Sequence, residues 1–498
     1  MRMSSNGSYW CALALVASLA SVNFLTDLAE PRGTVWDESY YLTSTERYAE
    51  GVAQFASHPP LGLMLIAAGD ELLHPNRGID TRPLGRDKHA DGRVIPAGFS
   101  FAGVRLAPGL FAVLGAMTFF ALMYAITQST ITALVFSNLF TFENAFVTQF
   151  RAAQLDAFQI AFTAAALLCF VIAAKRQQRS SPALEAGLGA ACGLAMMVKL
   201  NAVVLLLLGV MLIVRRVSMG WAGAPRRRLL LIAIRDASII AGSCVLVMVA
   251  VFAVHLRVGT NYVDPTTVAG QKDQQFLSQQ YREYLQGTRP LSPSVIVNAA
   301  SDYLQFMAAD FEGTPRSDAN ASSPLQWPLE HGTINYRWDS DGTRTAYVQL
   351  VGNRVNWILA LAAPFAALAL LILQWRRPGE PADRVRPAGV RRPLLVMLLI
   401  EYVAFMALHC FLGLFRVMYL YHYFIGLLLA FTLLPLVFLE AADRWPAVRK
   451  WQTPALAGLT ALLLVSFVFY SPLNFHRPLT YQQCEWRNSF QHVVNCRS

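Results

Sequence analysis

The chain has 498 residues, 55% of them hydrophobic and only 14% charged, and its formal net charge is +10. A soluble protein carries roughly 25% charged residues, so this composition excludes a soluble multidomain enzyme, a disordered chain and a disulfide scaffold, and leaves a polytopic membrane protein. The positive balance does not point to nucleic acid, because the basic residues form no patch with interleaved aromatics and sit in short runs between apolar segments.

In chain order, windows of about 20 apolar residues fall at 10–29, 101–125, 130–148, 153–174, 183–198, 200–214, 229–256, 353–374, 393–412, 417–440 and 453–471. They predict an all-α protein with about eleven transmembrane helices. The first window follows a single basic residue, Arg2, and no small-residue cleavage site follows it, so it reads as a retained helix and not a signal peptide. Basic runs favour the cytoplasmic face. With the N-terminus inside, that face receives Lys175, Arg176 and Arg179; Arg215 and Arg216; Arg226, Arg227 and Arg228; Arg376, Arg377, Arg384, Arg386, Arg391 and Arg392; and Arg444, Arg449 and Lys450. Two crossings around Lys199 are needed to keep this pattern. Two large loops, 30–100 and 257–352, and the tail 472–498 then lie outside, and residues 1–471 form one transmembrane domain. Cys11, Cys169, Cys192, Cys244 and Cys410 sit in apolar spans as small core residues. Cys484 and Cys496 fall in the outer tail, where an oxidising compartment permits a disulfide without requiring one.

The scarce charges within or beside spans carry the chemical information, since each costs at least a few kcal/mol to place there. Asp37 and Glu38 follow the first helix, beside Trp36, Tyr40 and Tyr41. Such a pair is often only a solvated loop start. Near an apolar boundary, however, desolvation and mutual repulsion raise a carboxyl pKa toward that of a general base. His58 opens a His-Pro-Pro-Leu-Gly turn, where a histidine is more often a structural hydrogen-bonder than a catalyst. Arg105, Glu143, Asn144, Arg151, Asp156, Lys199, Asn201, Arg416, Tyr419, Tyr421, His422 and Tyr423 all fall at the outer ends of their helices. Some of these charges could simply neutralise one another. A transporter places polar groups near the midplane of repeated halves, and no repeat is visible here. Polar groups collected at one interface suit an enzyme acting on a lipid-linked substrate.

Several of these segments resemble those of the protein O-mannosyltransferases, the dolichyl- or polyprenyl-phosphate-mannose-dependent enzymes of the GT-C class. The resemblance rests on Trp36-Asp37-Glu38, His58-Pro59-Pro60-Leu61-Gly62, Glu143-Asn144 through Arg151 to Leu155-Asp156, Lys199-Leu200-Asn201, Trp327-Pro328-Leu329, Gly352-Asn353-Arg354-Val355-Asn356-Trp357 and Arg416 to Tyr423, in the family's order over about residues 30–440. The chain departs from the family pattern at Leu63, where a Lys is usual, and at Ser39-Tyr40-Tyr41 after the acidic pair. Its second outer loop is too short for the MIR module of eukaryotic members, which indicates a bacterial enzyme.

The resemblance implies a GT-C fold in the bacterial inner membrane and transfer of mannose or a related hexose from a polyprenyl-phosphate donor to Ser/Thr hydroxyls of secreted or membrane proteins, by inverting single displacement. It calls for no cofactor; a divalent metal is left open, with no ligand spacing that points to one. In that scheme Asp37 takes the acceptor proton and Glu38 tunes it or positions the acceptor. Arg105, Arg416 and Lys199 hold the lipid phosphate, because charge grows on the leaving oxygens. His58, Glu143, Arg151, Asp156, Asn353, Tyr421 and His422 shape the sugar and acceptor pocket. Alternatives are a GT-C transferase that modifies lipid A or an envelope glycan, a flippase, and an inactive partner subunit.

Overall fold

The computed structural model describes residues 7–90, 92–176, 181–221, 223–262, 268–375, 388–489 and 491–497. The expected basic residues Arg2, Arg179, Arg376, Arg377, Arg384 and Arg386 lie outside them. Helix α1 (Gly7–Leu25) is followed by two helices of the first loop, α2 (Glu38–Ala49) and α3 (Pro60–Leu73). The chain then crosses through α4 (Ala102–Thr127), α5 (Thr130–Thr141), α6 (Asn144–Phe150), α7 (Asp156–Lys175), α8 (Pro182–Met196), α9 (Leu206–Gly220) and α10 (Arg226–Val258). The second loop contains α11 (Val268–Gln274), α12 (Gln279–Leu285) and α13 (Pro293–Glu312), then strands β1 (Ile334–Ser340) and β2 (Thr345–Leu350). Helices α14 (Arg354–Trp375), α15 (Ala388–Leu412), α16 (Phe424–Arg444), α17 (Pro446–Lys450) and α18 (Gln452–Tyr470) complete the membrane part. The tail adds β3 (Pro478–Leu479) and α19 (Tyr481–Glu485).

All eleven expected segments are helical, but they are not equal. Among the described residues nine helices are long and apolar enough to cross a membrane, and the bent pair α5–α6 brings the number to ten. The remaining segment, α8, has 15 residues, about 22 Å of helix at 1.5 Å per residue, short of a hydrocarbon core of about 30 Å. The two large loops meet on one face, termed here the loop face: Val52 bridges Asn261, and the Tyr303 hydroxyl donates to the His58 carbonyl at 2.8 Å.

Two breaks in the helices define the site, because irregular backbone at membrane depth persists only where protein satisfies its polar groups. Between α5 and α6 the axis turns by 57°. The carbonyls freed there are taken by asparagines: Leu139 by Asn356 at 3.0 Å, Thr141 by Asn23 at 2.8 Å and Phe142 by Asn353 at 2.8 Å. Between α8 and α9 the chain extends at Lys199 and continues as a short 3-10 turn, Leu200–Leu205. Gln159 of α7 holds the Lys199 carbonyl at 3.2 Å, and the Met197 carbonyl accepts from the Leu61 amide at 3.1 Å. Aromatic packing fills the membrane core around these breaks, with Phe119, Phe120, Phe140, Phe146 and Phe150 all fully buried.

The small antiparallel sheet has the order β1-β2-β3. Asn335 pairs with Gln349 and Arg337 with Val348, so Tyr336 is an extra residue without a partner, a β-bulge. The sheet is tied down on two sides. Thr148 of α6 donates to the Gln349 carbonyl at 2.9 Å. The Val493 carbonyl of the tail accepts from Gln349 Nε2 and from Thr333 Oγ1. Cys484 and Cys496, left open by the sequence, form a disulfide.

Candidate active site

Asp37 occupies the N-cap position of α2. The preceding residue, Trp36, has φ +51°, a left-handed conformation that is rare for a bulky side chain and concentrates at functional sites. Burial pushes the Asp37 carboxyl up to about 6; Lys199 pulls it down, Asp156 raises it, and a hydrogen bond from Tyr421 and the charge of Arg416 lower it. Four elements distant in sequence thus meet at one carboxylate: the start of α2, the start of α7, the break before α9 and the approach to α16.

Around Asp37 the polar groups form a chain. Lys199 Nζ donates to Asp156 Oδ1 at 2.7 Å and stands 5.2 Å from the centre of the Tyr421 ring. Asp156 Oδ2 accepts from Gln149 Nε2 at 2.7 Å, and Gln149 Oε1 accepts from the Tyr336 hydroxyl at 2.6 Å. The Tyr336 ring stacks on Trp36, 5.1 Å between centroids at 18°. Behind Lys199, Gln159 bonds Asn201 at 2.7 Å, and Asn201 bonds His409 at 3.1 Å. The His422 ring lies in an aromatic layer with Trp327, Tyr419 and Tyr421, and its Nδ1 accepts from the Tyr419 amide at 3.0 Å. Arg416 lies over the Phe311 ring at 5.4 Å, and its Nε is buried without a hydrogen-bond partner among the described residues.

On the side of the first loop, His58 and Tyr41 stand 6.4 Å apart, centroid to centroid. Both line a cavity of about 730 Å³ whose other walls include Phe55, Lys88, Arg93, Lys272 and Phe306. That volume lies within the range of about 300–1,000 Å³ typical of ligand clefts. Burial and the charges of Lys199 and Arg416 push the His58 imidazole down to about 3, with Asp310 acting weakly the other way, so it is neutral in ordinary conditions. Among the described residues no group of three His, Cys, Asp or Glu side chains stands at metal-binding spacing.

Five expected site residues are placed elsewhere. Arg105 is 1% exposed, and its guanidinium is fully engaged. It reaches both Glu38 oxygens at 2.8 Å and the carbonyls of Leu28, Pro31 and Gly33 at 3.2, 3.0 and 2.9 Å, so no donor remains for a lipid phosphate. Glu38, besides Arg105, accepts from the amides of Val35 at 2.8 Å and Ala153 at 2.6 Å, contacts that tie down the loop. Glu143 and Asn353 belong to the α5–α6 break. Glu143 accepts from the amides of Ala145 and Asn353, from Asn356 and from the Trp357 indole. The Asn353 amide is spent on the Phe142 and Leu463 carbonyls. Arg151 bonds the Asn23 carbonyl at 3.3 Å and lies over the Phe475 ring at 4.5 Å. The sequence reading missed Gln149, Gln159 and Tyr336. Treating buried amides like buried charges would have found the first two, whereas Tyr336 sits in an ordinary polar loop.

A carboxylate, a lysine and an arginine thus converge on the loop face of a helical membrane domain, and two family matches make that domain a membrane glycosyltransferase fold of the GT-C class. The chain belongs to the protein O-mannosyltransferase family. The family model described as dolichyl-phosphate-mannose-protein mannosyltransferase matches residues 14–262, and that of the C-terminal four-helix membrane region of protein O-mannosyltransferase matches residues 303–493. Protein O-mannosyl-transferase 2 of Drosophila pseudoobscura pseudoobscura is 28% identical over 203 residues, 32% of this chain and 25% of that protein; the match thus spans a quarter of the relative's length. The fold is similar to that in the S. cerevisiae protein O-mannosyltransferase Pmt1-Pmt2 complex bound to the sugar donor. The TM-score is 0.78 at 14% identity, over 99% of this chain and 94% of that one. The archaeal oligosaccharyltransferase AglB from Archaeoglobus fulgidus aligns with a TM-score of 0.46 at 12% identity, over 99% of this chain and 61% of that one.

Proposed function

We propose that this protein transfers mannose, or a related hexose, from a polyprenyl-phosphate sugar to Ser/Thr hydroxyls of exported proteins. The reaction takes place at the extracytoplasmic face of a bacterial inner membrane, which is then the loop face. The observation that carries this reading is the half-buried Asp37 held among Lys199, Asp156, Tyr421 and Arg416, in a chain of the mannosyltransferase family.

In the proposed reaction the acceptor hydroxyl attacks the anomeric carbon while Asp37 takes its proton. The bond from that carbon to the phosphate oxygen breaks, and the electron pair leaves on the phosphate. Arg416, whose Nε has no hydrogen-bond partner among the described residues, is the cation best placed to receive that charge, and Lys199 assists from its pair with Asp156. One displacement inverts the anomeric centre. The acceptor enters through the cavity that Tyr41 and His58 help to line; a neutral His58 offers a hydrogen bond there without competing for the proton. A polypeptide suits this cavity, because its lining offers both apolar surface, at Phe55, Leu63 and Phe306, and hydrogen-bonding groups, at Thr43, Ser44 and His89.

The test is reconstitution in liposomes with polyprenyl-phosphate-mannose and a Ser/Thr peptide, reading product mass for wild type and Asp37→Ala. Hexose on the peptide with wild type alone supports the proposal. If the peptide stays bare while a deletion strain shows altered lipid A and unaltered envelope proteins, the acceptor is wrong.

A further inference from the structure

Tyr336 comes from the second loop, 187 residues away from Gln149, and yet its hydroxyl ends in the hydrogen-bond chain that leads to the base. A regular strand would not bring it there. Ile334 and Asn335 pair normally with β2, pairing resumes at Arg337, and Tyr336 alone is extra. A bulge re-aims the side chain of the inserted residue, and bulges concentrate beside active sites. The sheet that carries the bulge is anchored next to its target. Thr148, the neighbour of Gln149, donates to the Gln349 carbonyl of β2 at 2.9 Å and accepts from Asn474 at 2.7 Å.

The chemistry of the chain has one direction. A glutamine amide has a donor end and an acceptor end. The Asp156 carboxylate accepts only, so Gln149 must present Nε2 to it, as it does at 2.7 Å. Rotation of the amide by half a turn would put Oε1 against the carboxylate. The Tyr336 hydroxyl donates to Oε1 at 2.6 Å and so holds the amide in the orientation the carboxylate requires. Asp156, held on its Oδ2 side, keeps Oδ1 for Lys199 at 2.7 Å. We propose that Tyr336 and Gln149 are positioning residues for glycosyl transfer: the bulged tyrosine orients the Gln149 amide, which fixes Asp156 and through it the Lys199 ammonium beside Asp37.

The proposal rests on the transferase reading for its kinetic arm only. Tyr336→Phe keeps the ring on Trp36 and removes the hydroxyl; Gln149→Met keeps the length and removes the amide. Each is expected to lower kcat about tenfold while leaving both KM values within about twofold, the pattern of an interaction that matters mainly in the transition state. Residues in one chain couple, so the double variant should be no slower than the slower single. In an Asp156→Asn background Tyr336→Phe should change kcat by less than about twofold. A merely structural role would give losses that add, that persist without Asp156, or that follow the fraction of protein folded in a thermal melt. Any of these overturns the proposal, as does a loss confined to KM. If Tyr336→Phe fails to fold, Gln149→Met alone and in the Asp156→Asn background carries the same test. If the wild type transfers no sugar from any polyprenyl phosphate, the function reading falls and the positioning chain is decided by the structure of the Tyr336→Phe protein. Loss of the Gln149–Asp156 hydrogen bond supports it, and an unchanged 2.7 Å contact overturns it.

Discussion

The base assignment makes a signed prediction. Replacing Asp37 by Asn removes the proton acceptor and keeps the shape. General-base catalysis contributes about 10²–10⁴-fold, so kcat should fall by that factor, which is about 3–5 kcal/mol of barrier at about 1.4 kcal/mol per tenfold. The pH dependence follows from the Asp37 carboxyl, which burial holds up at about 6. A base works deprotonated, so activity should be level above the limb and fall as pH drops through it. One unit below, roughly a tenth of the molecules are competent.

The surrounding charges act on that limb in opposite directions. Lys199 lowers the pKa and Asp156 raises it, so residual activity in Lys199→Met should have its limb at higher pH and in Asp156→Asn at lower pH. Arg416 faces the same carboxyl and also lowers its pKa. Tyr41 and Tyr336 are pushed well above their ordinary range by burial, and Tyr419 to about 12, so none of these three titrates near the limb. The assay is mannose transfer to peptide in liposomes as a function of pH. A flat profile across the limb, or limbs that shift the same way in the two variants, would refute the reasoning, as would near-normal transfer by Asp37→Asn at unchanged protein level.

Three further outcomes follow from the same geometry. Glu38→Gln leaves the Arg105 guanidinium, 1% exposed, without its counter-charge; breaking a buried pair costs about 3–5 kcal/mol, so the melting temperature in detergent should drop clearly, and an unchanged melt would show that the pair does not hold the loop. Arg416→Gln removes a charge-assisted contact worth about 1.5–3 kcal/mol, so the Kd for polyprenyl phosphate, measured by titration, should rise by about tenfold or more; unaltered binding would move the phosphate site elsewhere. Cys484→Ser opens a disulfide of sequence separation 12, for which chain entropy gives about 3 kcal/mol; the tail and its contacts with β2 should loosen, read as faster hydrogen exchange at Gln349 and Val493, whereas unchanged exchange would mean that the tail is held by its other contacts.

Apolar segments were legible in the sequence because spanning is a one-dimensional requirement: each helix must satisfy its own backbone over about 20 residues. The clustering of basic runs between them was legible for the same reason. The exception, α8, falls short because the chain straightens at Lys199, and the cost of that extension is covered by Gln159 and Leu61, which no window around α8 contains. The presence of Asp37, Lys199, Asp156 and Arg416 in the site was likewise readable as scarce charge at one set of helix ends. Their roles were not. Arg105 and Arg416 look alike in sequence, each an arginine at the end of an apolar helix. One is saturated by Glu38 and three carbonyls; the other keeps a buried Nε free of partners among the described residues.

The sequence by itself determined that the chain crosses a membrane repeatedly, which residues are too polar to be there without a reason, and which family motifs they stand in. Only the tertiary structure decided which of those residues are saturated by fold contacts and which gather around Asp37. Buried charges and amides must find partners, and those partners are 67 residues away for Arg105 and Glu38, 43 for Lys199 and Asp156, and 187 for Tyr336 and Gln149. Pairing over such separations is set by how helices and loops pack, and no local pattern encodes it.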